Sequence, residues 1–268
     1  MEIDLAIRFV NKNGGELQRA RLDHILHRTP APPGVIVRLL KFQLQDGSFT
    51  QPRPSSLVGS INETLNALWR MEELGLMKSV AAEQACHFLV SRQGKNGSWQ
   101  EEPGSATPLQ SYTQDPLFSY YLSAYAAYFL ALFGFGSAPV LEKAARYLAG
   151  IQKPAGNFEG FLHTTWLACS ALLLINGPRD KRAKKSLLFL KNLDFEDWES
   201  SQIAWALSCL GNAGITAKHP FISAGLTALE ENQLEDGSWL SEDGAGYEVE
   251  ATIAAIKAWK FFRGGETG

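Results

Sequence analysis

Glu248 and Glu250 stand two residues apart where an apolar helical run begins, with Thr252 two residues further on. Two carboxyls this close do not ionise equally, because the first charge disfavours the second. One can then keep its proton near neutral pH, which is what a general acid requires. Thr252 can orient the pair or bond backward to its own helix. The same acids also meet a plainer demand, since carboxylates in a first helical turn offset the macrodipole. A weaker partial copy, Ser60-Ile61-Asn62-Glu63-Thr64, keeps one acid and the threonine, with Glu63 directly before Thr64. A glutamate in an apolar pocket has its pKa raised, which keeps the proton on but makes the acid weaker.

Aromatic residues form a second set. Tyr121, Tyr125 and Tyr128 fall at i, i+4 and i+7, on one helix face. Such a stripe suits either core packing or the lining of an apolar site. Trp69, Trp166 and Trp205 are candidates to extend it, and His163 opens the run Leu162-His163-Thr164-Thr165-Trp166. Asp115-Pro116 reads as an N-cap followed by proline at N1, and Glu199 as a first-turn acid. The basic run Arg179–Lys185 reads as a solvated helix start, with a membrane or anion patch as the alternative.

The elements that position these residues come from a repeat. Gln, three residues, Gly, one residue, then Phe or Trp occurs at Gln43…Gly47-Ser48-Phe49, Gln93…Gly97-Ser98-Trp99, Gln152…Gly156-Asn157-Phe158 and Gln233…Gly237-Ser238-Trp239. A leucine stands four residues before each Gln: Leu39, Leu89, Leu148 and Leu229. The expected physics is a helix stop. The leucine packs, glycine supplies the positive φ that ends the helix, the aromatic folds back, and the Gln amide bonds backbone groups at the helix end. Weaker stops follow Asn11 and Asn192.

Six stops predict twelve helices. Those before each stop are expected near 3–11, 34–43, 79–92, 138–151, 180–191 and 220–232, and those after near 16–27, 57–74, 117–134, 161–175, 198–211 and 247–262. The second set is the more apolar, so it should be the inner one. This is an all-α class of six helical hairpins, expected to close as an (α/α)6 toroid in a single domain over residues 1–268. The longest linker, Gln100–Asp115, is expected to be a lid or rim element.

Composition narrows the function classes. The 268 residues are 45% hydrophobic with a net charge of −3, so no basic excess marks a nucleic-acid surface. Three scattered cysteines argue against a disulfide framework and fit a reducing cytosol. Neither a basic leader nor an apolar run of the ~20 residues that span a bilayer is visible. A cytoplasmic location is therefore expected.

The Gln…Gly-x-Trp/Phe repeats resemble the QW motifs of the squalene–hopene cyclase superfamily, whose toroid protein prenyltransferase β-subunits share. Class II terpene cyclases of that superfamily carry D-x-D-D-T at the mouth of an inner helix, the middle Asp protonating an alkene or epoxide. The run Glu248-Val249-Glu250-Ala251-Thr252 keeps acid-x-acid-x-Thr. The resemblance thus assigns the proton donor to Glu250, with Glu248 beside it, and Glu63 to the last acid of a weaker copy. It implies an isoprenoid substrate or ligand, with Tyr121, Tyr125, Tyr128, His163, Trp166 and Trp205 lining its site. No cofactor is implied: the D-x-C zinc element, the thioester Gly-Cys-Gly-Glu-Gln run and the D-D-x-x-D magnesium cluster are all absent from the sequence. Two functions follow, metal-independent protonation of a polyprenyl chain, or non-catalytic binding of an isoprenoid or a protein. A transient membrane-surface contact is compatible with either.

Overall fold

The structure is a computed structural model describing residues 1–51, 58–102 and 115–263. The expected rim linker falls largely outside the described residues, at 103–114. Among the described residues there are twelve helices and no strand beyond isolated bridges. They are α1 (Ile3–Asn13), α2 (Glu16–His27), α3 (Pro33–Leu40), α4 (Ile61–Glu73), α5 (Val80–Ser91) and α6 (Pro116–Leu132). Then follow α7 (Ala138–Gly150), α8 (Leu162–Asn176), α9 (Lys181–Lys191), α10 (Ser200–Asn212), α11 (Pro220–Glu231) and α12 (Glu248–Arg263).

Two compact units are present. One comprises Met1–Val35 with Leu190–Gly268, and packs α10 and α2 on α12, with α1 and α11 outside them. The other is Ile36–Phe189, where α6 packs on α8 and α4, with α5 and α7 outside. In each unit the helices after the stops are the buried ones. α8 is buried continuously from Thr164 to Leu173, whereas α7 buries only Ala144 and Leu148.

The four stop motifs do more than end helices. Each helix ends two or three residues before its Gln, and the motif then forms a tight hairpin. In the first, Leu44 N–H donates to Ser48 O at 2.8 Å and Thr50 N–H to Phe42 O at 3.1 Å. The motif glycine therefore serves this turn, not the helix end expected of it. Gly47, Gly97, Gly156 and Gly237 have φ of 87°, 93°, 110° and 88°. Each also lies against the next outer helix. A Cβ on Gly97 would sit 2.3 Å from Lys143 O in α7, and one on Gly47 2.2 Å from Gln84 O in α5.

The Gln amide completes the clasp. Gln43 donates to Gly47 O at 3.2 Å and to Ala81 O in α5 at 2.9 Å. Gln93 does the same to Gly97 O and Val140 O, and Gln152 to Gly156 O and Arg182 O. The fourth motif takes α1 as its next outer helix: Gln233 donates to Gly237 O and to Glu2 O at 3.1 Å each, and Glu2 N–H returns a bond to Gln233 Oε1 at 2.7 Å.

The aromatic residue then reaches inward. Its backbone N–H donates to a hydroxyl on the following inner helix, in the first turns of α4, α8 and α12 and midway along α6: Phe49 to Thr64, Trp99 to Ser123, Phe158 to Thr165 and Trp239 to Thr252, all at 2.8–3.2 Å. The indoles of Trp99 and Trp239 donate to Leu89 O and Leu229 O, each at 2.7 Å. Those leucines are the ones four residues before the Gln. One short motif thus fastens its own outer helix, the next outer helix and the next inner helix.

Candidate functional site

The hydroxyls that receive these N–H groups give the inner helices a common register. Thr64 and Thr252 also donate backward, to Ser60 O and Glu248 O at 2.7 and 2.6 Å. The threonine of acid-x-acid-x-Thr is therefore part of the repeat clasp. The residue two before each hydroxyl is Asn62 on α4, Tyr121 on α6, His163 on α8 and Glu250 on α12. Each inner-helix mouth in the set thus presents a polar side chain at one register position.

In the unit Ile36–Phe189, the mouth of α4 is built around two carboxyls. Glu101, just after Trp99, is buried and accepts from Ser60 Oγ at 2.6 Å, Asn62 N–H at 2.8 Å and Ile61 N–H at 3.1 Å. A carboxylate there satisfies free N–H groups and meets the positive end of the helix. Glu63 follows in the first turn, half-buried, its own N–H donating to Ser60 Oγ at 3.1 Å. Burial pushes the Glu63 carboxyl above its ordinary value, and the Glu101 charge adds to this. Arg70 on the same helix and hydrogen bonds from Asn62 and Gln51 pull the other way without cancelling it. Glu63 is thus biased towards its protonated form.

The mouths of α6 and α8 bring the predicted aromatics together. Tyr121 lies 5.5 Å from Tyr125 and edge-on to His163 at 6.3 Å, while His163 lies 4.7 Å from Trp166, all between ring centroids. Phe118 stacks on Tyr121 at 5.9 Å, and Phe161 adds an edge at 6.3 Å. Tyr121 and His163 are half-buried, and Tyr125 and Trp166 are closed off from solvent. Tyr128 is buried against Phe129, deeper in the helix pair. Ring contacts therefore run from Tyr121 through Tyr125 to Phe129, and Tyr128 joins them through Phe129.

In the other unit, Glu250 is held otherwise than as an isolated acid. Its carboxylate forms an ion pair with Arg21 of α2, whose side chain is buried, and accepts from Gln18 Nε2 at 3.1 Å. Glu248 bends outward, accepting from Gly246 N–H at 2.8 Å. Trp205 is half-buried on α10, near whose first turn Glu242 accepts from Gln202 at 2.8 Å. Sequence reasoning missed three residues here. Arg21 and Gln18 carry no motif, and Glu101 gains its role only because a loop some forty residues on folds back over α4. The usable signal for Arg21 was a cation flanked directly by Ala20 and Leu22, on a helix expected to be inner.

All three cysteines are buried, and burial pushes the Cys86 thiol up to about 12 and Cys169 higher still. Among the described residues no group of three or more His, Cys, Asp and Glu converges as a metal site. Among them, too, no helix is long and apolar enough to cross a membrane.

No family model and no curated protein matches the chain. Solved structures do. Type II terpene cyclase MstE from Scytonema superposes with a TM-score of 0.62 at 18% identity, over 96% of each chain. Another MstE structure, in complex with geranylgeranyl dihydroxybenzoate as substrate, gives 0.63 at 16% identity over 97% of this chain and 95% of that one. Candida albicans protein geranylgeranyltransferase-I, complexed with GGPP, gives 0.61 at 13% identity over 97% and 91%. The likeness runs through nearly the whole of both chains and extends to two different enzyme classes. With twelve helices in alternating order and four repeated clasps, it establishes the fold as the all-α (α/α)6 toroid of the terpenoid cyclases and prenyltransferases.

Proposed function

We propose that this chain is a single toroid domain that binds a polyprenyl chain and acts on it as a metal-independent, class II-type acid, with Glu63 as the proton donor. The carrying observation is the Glu63 carboxyl itself. It lies at an inner-helix mouth, biased by burial towards its protonated form, beside the Glu101 carboxyl, which accepts from three donors. Glu250 and Glu248 are the other candidates. The tie of Glu250 to Arg21 makes it a hydrogen-bond acceptor in this arrangement, and favours Glu63 over it. The aromatic group of Tyr121, Tyr125, His163 and Trp166, with Tyr128 below, supplies faces that suit an isoprenoid and would stabilise a cation.

In the reaction, the proton leaves the Glu63 carboxyl and forms a C–H or O–H bond to an alkene or epoxide. The adjacent carbon becomes cationic and is attacked by the next alkene of the chain. The last cation loses a proton to water, and Glu63 is reprotonated from solvent. A carboxyl with a raised pKa is a weak acid, so an epoxide, the more basic acceptor, matches it better than a plain alkene. A cytoplasmic protein taking lipid-soluble substrates fits this reading. The solved MstE complexes with geranylgeranyl dihydroxybenzoate as substrate and with merosterolic acid A as product support the ligand class.

A second reading, a non-catalytic isoprenoid-binding toroid, is favoured by the Arg21–Glu250 pair, which removes the best sequence match from acid duty. The two are separated by incubating parent, Glu63→Gln and Glu250→Gln with geranylgeranyl arenes, squalene and an epoxidised polyprene, with and without chelator. Loss of turnover by ~10²-fold or more in Glu63→Gln, with binding kept and chelation without effect, supports the acid role. Loss in Glu250→Gln alone moves the donor to α12. Binding without consumption by any form leaves the binding protein.

A further inference from the structure

The helix α9 carries charges that its own fold does not call for. Five cations fall within seven residues: Arg179, Lys181, Arg182, Lys184 and Lys185, in a chain of net charge −3. All five are exposed, and among the described residues none of them forms an ion pair. The acid among them, Asp180, is occupied in capping the helix. Its Oδ1 accepts from Arg182 N–H and Ala183 N–H at 2.8 Å each, and Oδ2 from Asn176 at 2.9 Å. No acid occurs on α9 itself.

Local electrostatics opposes this placement. A helix N-terminus is the positive end of the dipole and favours acids. Among the described helices, α1, α2, α4, α5 and α12 carry an acid in the first turn and six others carry none, whereas α9 opens on three cations, Lys181, Arg182 and Lys184. Residues that break a local rule without a local gain point to an interaction outside the fold. The helix is also held firmly from behind. Gln152 donates to Arg182 O at 2.9 Å and to Ser186 Oγ at 2.9 Å, and Gly156 packs against Lys185 O. The buried face is Ala183, Ser186 and Leu190. The opposite face presents Lys181, Lys184 and Lys185 around Leu188, which is 59% exposed.

We propose that this face of α9 docks on an anionic lipid bilayer, the lysines meeting headgroups and Leu188 entering the interface. Cations spread over a convex face match a charged surface better than a single bound anion. An apolar side chain in their midst is the pattern of helices that lie in a membrane interface, and has no use on a nucleic-acid backbone. The surface would serve whether or not an acid in the interior turns over substrate.

The test is co-sedimentation of the full chain with vesicles of phosphatidylcholine alone, and of phosphatidylcholine mixed with phosphatidylglycerol. The parent should bind the mixed vesicles only, and less as salt rises. Lys181→Glu/Lys184→Glu/Lys185→Glu should lose about tenfold or more in binding, since each basic residue near the surface contributes. Its melting temperature should hold or rise, because acids suit a first turn. If it fails to fold, the matching glutamine set is the readout. Leu188→Ser should weaken binding with no change in charge. Equal binding to both vesicle types, unchanged binding by the charge variants, or binding to duplex DNA without binding to vesicles would each overturn the proposal.

Discussion

Arg21, buried in α2, and Glu250, in the first turn of α12, form an ion pair joining the second helix of the chain to its last. Gln18, one turn before Arg21, donates to the other carboxylate oxygen. The pair gives the last inner helix a fixed neighbour, and it explains an acid at the mouth of α12 without invoking catalysis.

Glu250→Gln is accordingly expected to destabilise the protein, because it leaves a buried guanidinium without this anion. The cost should be about 2–4 kcal/mol, below the ~3–5 of a fully buried pair, as the Glu250 side chain keeps 29% exposure. Replacing both partners by apolar residues should recover much of it. Urea unfolding is the measurement. A single variant within about 0.5 kcal/mol of the parent would remove the pair from the account of stability.

The Glu63 carboxyl predicts a pH effect. Its folded pKa lies above the ordinary 4.5, so its contribution to stability is fully present below 4.5 and is lost as pH rises through the folded value. Glu63→Gln cannot ionise. Its melting temperature, relative to the parent, should therefore be higher above this window than below it. Thermal melts over a pH series decide the matter, and a difference independent of pH would show that Glu63 is not held towards its protonated form.

Glycine substitutions should separate two costs in the clasp. Gly134, at φ 65°, has nothing within 4 Å of an added Cβ, whereas Gly97, at φ 93°, would place one 2.3 Å from Lys143 O. Gly134→Ala should cost the left-handed strain alone, roughly 1–2 kcal/mol. Gly97→Ala adds a clash with backbone that cannot rotate away, and should cost clearly more or prevent folding. Equal losses in denaturant melts would mean that the motif glycine serves only its turn.

Tryptophan substitutions test the inner half of the clasp. Trp99→Ala and Trp239→Ala should each cost about 3–5 kcal/mol, as expected for fully buried aromatics. Trp99→Phe keeps most of the volume but leaves Leu89 O without its indole donor, at about 1–3 kcal/mol. Should Trp99→Phe match the parent in calorimetry, the indole bond carries no weight.

The helices were legible because each stop recurs with its partners at fixed spacing. Departures came where a residue answers to something distant in sequence. α4 starts at Ile61, not near 57, because Ser60 is held extended by its N–H bond to Phe49 O before it can cap the helix. Thr252 read as part of an acid motif, yet the equivalent hydroxyls of Thr64, Ser123 and Thr165 show what the position does. The tyrosine stripe was visible because its period is local. Arg21 and Glu101 were not, because a buried charge is recognised only by its partner, and both partners lie far along the chain.

The fourth clasp sets an order on folding. Gln233 and Glu2 are 231 residues apart in sequence, so the bonds that fix the start of α1 close a loop that takes in nearly all of the described chain. α1 is made well before α11 and α12, so until the fourth motif is complete it lacks both its clasp and its packing on α12, and of these neighbours has α2 alone. A ribosome stalled before the fourth motif would display α1 held by α2 without its clasp, open to proteases and chaperones however well the middle repeats have folded.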